Sequence, residues 1–507
     1  MARIAHREVC SDDEDWARIE DLVEKRKAQN RNNQRAFRRR KNQLKQVAKE
    51  ARAAEECTKP VLLPKPATTG IDPIRKGQTL MSLRPVSVHD VAGTGLDIET
   101  RRIFHHASTC LWTAFNQRMI EKDDPLAAAM KRLSLTNDLT MRTLLWTAAS
   151  ELEMRSSFPS SHQVMLQQQN LAVAQIQRDL AAGDVSDELV HAIYALTFTR
   201  APSAICKKKE MFPYFPYGDF DPPLASLGWL DLVSHLVFVD RHAEAAAKLL
   251  EPRGGLWGMQ VFELAYNIQL GDLLRNSMTG TKPSFNLCKT YRHILDLQMP
   301  MYRSAGTLLD WQISSETRDL ILDIRCYLRQ VELYMAKAQP AVPAERLVTW
   351  RNINQHRVLS LSPDQDQLFR LTVLIFSYNV VFPIPYQDVV QHWVLELLFH
   401  ICKSPSTSEA ALWAVVVAAM SSRDEEVLGC LLEKARQFQS ALGLATWLDV
   451  EAIMTKYLWL ASACNAGGQK FWKLVSRSGE RGEVNGYKEC SLTKVYGLRC
   501  SHPALKK

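Results

Sequence analysis

Apolar residues recur three and four positions apart through most of the chain between residues 86 and 476. This spacing places them on one side of an α-helix, because a helix turns once every 3.6 residues. The clearest helical stretches are residues 97–117, 126–155, 164–182, 187–199, 230–250, 410–443 and 447–461. Alternating strand patterns are scarce, and only 371–382 is markedly ambiguous. The sequence therefore predicts an all-α, multi-helix domain over residues 86–476.

Local signals within this region mark helix ends. Ser186 comes directly before Asp187 and Glu188, and this order favours a helix N-terminus capped by the serine. Arg253-Gly254-Gly255 is typical of a helix stop, because glycine tolerates positive φ. We expect the tryptophans to pack in the core rather than to bind a ligand. Those considered are Trp112, Trp146, Trp229, Trp257, Trp311, Trp393, Trp413, Trp447, Trp459 and Trp472.

The N-terminal part of the chain has a different composition. From Trp16 to Glu56 it contains neither proline nor glycine, and strong helix formers dominate. Between Glu24 and Arg52, twelve Lys and Arg face two Glu, so this segment carries +10 in a chain whose net charge is +8. Its helix would have almost no apolar face, so we expect it to be solvated, or helical only when bound. Such a cationic stripe implies a polyanionic partner, such as nucleic acid, or an import receptor.

These differences divide the chain into five parts. Four prolines and two glycines between Pro60 and Gly77 end the basic helix and indicate a linker. We expect a disordered acidic N-terminus at 1–15, an isolated basic helix at 16–59, a proline-rich linker at 60–85, the helical domain at 86–476 and a disordered tail at 477–507.

Five side chains of the basic segment fall on one face of a helix. They are Asn30, Asn33, Gln34, Phe37 and Arg38, at offsets 0, 3, 4, 7 and 8. The major groove of DNA admits one helix; there carboxamides can bond adenine, an apolar ring can contact a thymine methyl group, and arginine can bind guanine or phosphate. Flanking cations neutralise phosphates and supply most of the affinity. The predicted DNA-binding set is Lys27, Asn30, Arg31, Asn33, Gln34, Arg35, Phe37, Arg38, Arg39, Arg40 and Lys41.

The same residues resemble the basic region of basic leucine zipper (bZIP) proteins. The hallmark of that family is an Asn followed eight residues later by an Arg, which here are Asn30 and Arg38. The form Gln-Asn-Arg-x-x-Gln-Arg-Ala-Phe-Arg resembles its fungal branch in particular. Asn33 departs from the alanine common in that branch, which bears on the sequence of the half-site and not on groove binding. The resemblance implies a sequence-specific DNA-binding protein in the nucleus.

The zipper that should follow this region is short. In the family register the core positions would be Lys45, Ala48, Arg52 and Glu55, which offer almost no apolar side chain. A register shifted by one residue gives a thin seam of Leu44, Val47, Ala51 and Ala54. We therefore expect a peptide of residues 1–60 to be monomeric without DNA, as ultracentrifugation at micromolar concentration can check. A homo- or heterodimer would then form through the helical domain or on DNA.

The large domain resembles the fungal-specific transcription factor domain, a regulatory region usually attached to binuclear zinc clusters. The stretches that carry the resemblance are Asp124-Pro125-Leu126, Trp146-Thr147-Ala148-Ala149, residues 186–193, Trp229-Leu230-Asp231, His242-Ala243, Arg253-Gly254-Gly255-Leu256, Ile268, Asp272, Lys282-Pro283-Ser284-Phe285, Tyr457-Leu458-Trp459, residues 463–468 and Phe471-Trp472. They span roughly residues 100–476. No zinc-cluster cysteines are present, so the bZIP-like helix would replace that module.

Other classes of function find little support. The eleven cysteines include no C-x-x-C pair, so we expect no zinc site, and no cofactor is indicated. No apolar run is long enough to cross a membrane. His105 and His106 are adjacent and point in different directions on a helix, so they cannot easily share a metal. Because phosphate-binding and catalytic motifs are missing, we do not expect an enzyme.

Two hypotheses remain. The first is a DNA-binding transcription regulator whose basic helix reads the major groove of double-stranded DNA and whose helical domain governs activity and assembly. The second is a nuclear helical interaction or scaffold protein whose basic segment serves only for import. In both, Arg38-Arg39-Arg40-Lys41 would contact a nuclear import receptor.

Overall fold

The structure is a computed structural model, and its described residues all belong to the unit Leu83–Lys507. The described ranges are residues 97–108, 125–156, 159–200, 216–227, 230–233, 236–288, 313–338, 342, 344–385, 387–403 and 407–477. The predicted acidic N-terminus, basic helix and linker, and the tail after Arg477, lie outside the described residues.

Sixteen α-helices make up most of this part of the chain, which confirms the predicted all-α, multi-helix domain. The first eight are α1 (Ile98–His106), α2 (Pro125–Thr136), α3 (Asp138–Ser156), α4 (Pro159–Ala182), α5 (Asp187–Ala195), α6 (Leu230–Val233), α7 (Asp240–Leu250) and α8 (Phe262–Thr279). The others are α9 (Ser315–Met335), α10 (Ala344–Ser360), α11 (Gln367–Phe376), α12 (Asp388–Lys403), α13 (Glu409–Ser421), α14 (Glu425–Leu442), α15 (Trp447–Met454) and α16 (Ala461–Arg477).

Three short strands interrupt the helices of the described region. They are β1 (Phe198–Arg200), β2 (Pro216–Asp219) and β3 (Leu236–Phe238). Strands β1 and β3 pair antiparallel, with Phe198 opposite Phe238. These two rings meet edge to face with centroids 5.5 Å apart, a favourable arrangement for aromatic pairs.

Because of this strand pair, two of the predicted helices are longer than the helices observed, so their predicted extent is wrong. The stretch 230–250 contains α6, β3 and α7 instead of one helix, and the stretch 187–199 leaves helix at Ala195. The amide of Val239 donates to the Thr197 carbonyl oxygen (2.8 Å), which extends the ladder beyond the strands. Pairing between segments forty residues apart outweighs local helix propensity here, which a periodicity pattern cannot show.

Polar side chains also divide longer predicted helices. Asn137 separates α2 from α3, and its Oδ1 accepts from the Thr140 amide (2.9 Å) as an N-cap does. Asp424 begins α14 in the same way, accepting from the Val427 amide (3.0 Å). The predicted stretches 126–155 and 410–443 are therefore two helices each. The stretch 447–461 holds only α15 and the first residue of α16.

The predicted helix ends are confirmed. The Ser186 side chain accepts from the Leu189 amide (3.1 Å) at the start of α5. Gly254 ends a 3-10 turn that follows α7 in the left-handed conformation, with φ of 81°. The ambiguous stretch 371–382 is helical up to Val381, since α11 is followed by a π-helical turn, the π-turn, at Ser377–Val381.

The core is continuous, and α13 passes through it with every residue from Ala411 to Ser421 buried. Trp413 is fully buried, stacks on Tyr457 with ring centroids 5.2 Å apart, and donates from Nε1 to the Leu458 carbonyl oxygen. The other buried tryptophans of the predicted set are Trp146, Trp393, Trp459 and Trp472. Trp257 departs from the prediction, being 40% exposed. Trp112, Trp229 and Trp311 lie outside the described residues.

Candidate functional site

The predicted DNA-binding and zipper residues, from Lys27 to Ala54, all lie outside the described residues. The face predicted to contact bases, which we call the reading face (Asn30, Asn33, Gln34, Phe37 and Arg38), therefore remains a prediction. The polar side chains that can be followed in atomic detail belong to the helical domain. There they form a network centred on buried carboxylates.

Asp272 of α8 is a buried carboxylate that accepts hydrogen bonds through both of its oxygens. Its side chain is 1% exposed. One oxygen accepts from the backbone amides of Ser284 (2.7 Å) and Phe285 (3.1 Å), and the other accepts from Asn276 Nδ2 (2.8 Å). A buried carboxylate is tolerated only when it is paired and hydrogen-bonded, as this one is. Asp272 therefore fixes the segment after α8 onto the helix itself.

Arg275, one turn later on α8, joins two carboxylates. Its guanidinium lies 3.3 Å from Asp272 and 3.0 Å from Asp240 of α7, and it donates to the Ser284 hydroxyl oxygen (2.6 Å). The Tyr194 phenol is buried beside this group, and its burial and the Asp272 carboxylate raise its pKa. The cluster thus ties α7 and α8 to the segment after α8, and the Tyr194 ring of α5 packs against Phe285 of that segment.

A second layer of polar groups connects α8 with α10 and the π-turn after α11. Tyr378 donates from its hydroxyl to the Ser277 carbonyl oxygen (2.6 Å). Gln355 donates to the Ser277 hydroxyl (3.1 Å) and accepts from the Ser377 hydroxyl (2.7 Å). His356 donates from Nε2 to the Phe285 carbonyl oxygen (2.8 Å), and burial lowers the pKa of its imidazole. We call the two layers together the polar network, whose members are Tyr194, Asp240, Asp272, Arg275, Asn276, Ser277, Ser284, Gln355, His356, Ser377 and Tyr378.

A separate carboxylate fixes the turn after α7. Asp187, at the start of α5, accepts from the backbone amides of Gln260 (2.6 Å) and Val261 (2.8 Å) and pairs with Arg253. The carboxylate is buried, so its hydrogen bonds exchange little with water. The sequence singled out both the serine cap before Asp187 and the glycine turn after Arg253, and the structure brings the two together.

These hydrogen bonds and ion pairs join separate elements of the described domain. Within the described ranges, no three His, Cys, Asp or Glu side chains are grouped so that they could hold a metal ion. The His106 imidazole contacts the Glu151 carboxylate of α3 (2.5 Å). None of the described helices combines the length and hydrophobicity that a membrane span needs.

The residues of α10 are the part of this site that sequence reasoning missed. Arg351, Asn352, Asn354 and Gln355 are each 1% exposed or less, although they are polar and lie close together in sequence. Arg351 donates to the Leu227 carbonyl oxygen (2.8 Å) and lies over the Phe382 ring. Buried polar residues interrupt the apolar period by which a core helix is found, so periodicity alone could not have found them.

The burial of one histidine predicts that the stability of the domain depends on pH. His191 lies on α5 with its Nδ1 buried and without a hydrogen-bond partner, and burial lowers the pKa of its imidazole from 6.5 to about 4. Folding therefore favours the neutral ring, so the stability that depends on neutrality is complete above about pH 6.5 and decreases as the pH falls towards 4. The loss should reach up to about 3 kcal/mol.

Urea unfolding of the wild type and His191→Gln between pH 8 and pH 4.5 checks this. We expect the wild type to lose more stability than the variant on acidification. Contributions from His356 and the carboxylates occur in both proteins and cancel in the difference. Parallel stability curves for the two proteins would contradict the prediction.

The match with known families concerns the region that follows α8. Residues 285–459 match the family model of the fungal specific transcription factor domain. The matched range begins at Phe285, whose amide is bound by Asp272, and ends at Trp459. No curated protein and no solved structure gave a significant match to the chain. The stretches from Asp124 to Ser284 that resemble the same domain lie before the matched range, so their membership remains a prediction.

The match supports a role in transcription regulation for this chain. It lies inside the range predicted for the domain from sequence, residues 100–476, and it covers α9–α15. A match to a transcription factor family suggests a non-enzymatic protein. The match says nothing about the basic segment, which lies outside it.

Proposed function

We propose that the protein is a sequence-specific transcription regulator that binds double-stranded DNA through the helix predicted at residues 16–59. The observation that carries the proposal is the face formed by Asn30, Asn33, Gln34, Phe37 and Arg38. The transcription factor domain at residues 285–459 supports it, because such a regulatory domain needs a module that selects DNA. The basic segment is the candidate module that the sequence offers.

Recognition would combine two kinds of contact. The face from Asn30 to Arg38 would bond base edges, while the cations around it, Lys27, Arg31, Arg35, Arg39, Arg40 and Lys41, would bind phosphates. Phosphate contacts give affinity that falls steeply with salt, and base contacts give the sequence preference. The helical domain would govern activity and assembly.

The proposed location is the nucleus. Arg38-Arg39-Arg40-Lys41 would contact an import receptor when the helix is not on DNA. A second candidate function, an interaction or scaffold protein with a basic segment used only for import, uses the same four cations. It differs in predicting no preference among DNA sequences.

Selection of bound duplexes from a random pool by the full-length protein separates the two functions. The proposal expects one sequence class to be enriched. On that duplex Asn30→Ala and Arg38→Ala should each weaken binding by roughly 5- to 150-fold, since a good base contact contributes about 1–3 kcal/mol of discrimination. Together they should reduce it to the level of random duplex, while nuclear import persists through the remaining cations.

The chain supplies matched controls within the same helix. In the predicted helix Asn32 and Arg39, at offsets 2 and 9 from Asn30, would lie on the side opposite Asn30, Asn33, Gln34, Phe37 and Arg38. Asn32→Ala should leave binding unchanged, and Arg39→Ala should weaken binding to all duplexes alike. If the pool shows no enrichment, or if Asn32→Ala costs as much as Asn30→Ala, the second candidate function is favoured.

A further inference from the structure

Helix α4 (Pro159–Ala182) has an outer face that nothing in the described domain covers. Its inner face holds Val164, Gln168, Ala172 and Ile176, all buried and four residues apart, and packs mainly against α3. On the opposite side Leu166 and Leu180 are each 43% exposed. A helix of 24 residues that buries only one side presents a long surface to solvent or to a partner.

This outer face has a seven-residue period. Leu166, Val173 and Leu180 recur every seven residues, and so do Gln163, Asn170 and Gln177. In a pair of helices such positions alternate along one seam, the d and a positions of a coiled coil. The seam of α4 would thus alternate apolar side chains with carboxamides over about 26 Å.

The same face lacks charge. The fifteen residues from Gln163 to Gln177 include no Asp, Glu, Lys, Arg or His. A solvated surface usually carries about 25–35% charged residues, so several would be expected over this length. A surface without cations does not suit DNA, and a surface without ionic groups offers nothing to a strongly charged peptide.

We propose that this face of α4, defined by Gln163, Leu166, Asn170, Val173, Gln177 and Leu180, binds the same face of a second copy of the chain. Carboxamides both donate and accept hydrogen bonds, so a row of them is complementary to itself. Leucines that would otherwise stay in water become buried against each other across a two-fold axis. A polar residue such as Asn170 at the seam favours two strands and fixes their register.

The seam is expected to form a weak dimer. A stable interface usually buries about 800 Å² per partner, and one helix of this length supplies only part of that. The role of this dimer in the cell rests on the proposed function. A basic helix of the bZIP kind binds DNA as a pair, and the zipper predicted for this chain is thin. Two weak contacts joined in one chain reinforce each other by raising the effective concentration. The α4 seam would thus supply what Leu44, Val47, Ala51 and Ala54 lack.

Sedimentation of the full-length protein from 0.1 to about 50 µM tests the inference. The wild type should pass from monomer to dimer within about this range. The double variant Leu166→Glu with Leu180→Glu should dissociate at least tenfold more readily, because it removes the apolar contacts and sets like charges against each other. Leu448→Glu on α15 is the matched control, since Leu448 is 72% exposed and lies outside α4, and it should leave the dimer intact.

Two further variants make the result decisive. Asn170 lies at the midpoint of α4, next to its own counterpart in either orientation of a two-fold pair, so Asn170→Cys should give a cross-linked dimer on oxidation, identified by mass spectrometry. The double variant Asn30→Ala with Arg38→Ala should lose specific DNA binding and keep the dimer, so the proposed function and the α4 seam can fail separately. A wild type that stays monomeric at 50 µM, or an α4 double variant that associates as tightly as the wild type, overturns the inference.

Discussion

Replacing Asp272 with alanine is expected to lower the free energy of unfolding of the helical domain by about 3–5 kcal/mol. The carboxylate is 1% exposed and accepts from two backbone amides, from Asn276 and from Arg275. Its removal leaves these donors without their acceptor in a place that water reaches poorly. The guanidinium of Arg275 would be left partly buried, with the exposed Asp240 as its remaining ionic partner.

The chain provides a control on the same guanidinium. Asp240 pairs with Arg275 at 3.0 Å from the solvent side, and its side chain is 66% exposed. Asp240→Ala should cost less than about 1 kcal/mol, because an exposed ion pair is screened by water. Urea unfolding followed by circular dichroism and tryptophan fluorescence measures both variants. Equal costs for Asp240→Ala and Asp272→Ala would mean that the buried hydrogen bonds of Asp272 contribute little.

Much of the fold could be predicted because its signals are local. A helix shows itself in apolar spacing, and its start in a serine such as Ser186. The features that were not predicted, a helix boundary and a strand, also have physical reasons. Asn137 ends one helix and caps the next, which a search for apolar spacing passes over. Strand β3 exists because Phe198–Arg200 is available to pair with it, and that partner is remote in sequence.

The candidate site could be predicted only in fragments. The stretches around Ser186, Arg253 and Ser284 were recognised by resemblance, each without its partner. In the structure these stretches are joined by hydrogen bonds. Asp187 binds the turn after Arg253, and Asp272 binds the segment that holds Ser284. These bonds depend on distances between elements, which no local pattern records. The buried face of α10 was missed because its polar residues resemble a solvated helix.

In α16, one glycine lies at a position where the backbone of another element approaches closely. Gly467 of α16 is buried, and a Cβ atom placed there would lie 2.1 Å from the Asp219 carbonyl oxygen of β2. Strand β2 cannot retreat, because a Cβ atom on Gly218 would already lie 2.3 Å from the Met420 carbonyl oxygen of α13. The strand is thus held between two helices whose backbones approach it from both sides.

Gly467→Ala is therefore expected to destabilise the domain by about 3 kcal/mol. The sign is the reverse of the usual one, since alanine in a helix interior is normally favoured over glycine by about 1 kcal/mol. Gln469→Ala, two residues away on the exposed side of α16, is the control and should change stability by less than about 0.5 kcal/mol. Thermal and urea unfolding of both variants measure the difference. If Gly467→Ala were as stable as the wild type, β2 would have to move away from α16 at little cost. The close packing of β2 between α13 and α16 would then contribute little to the stability of the domain.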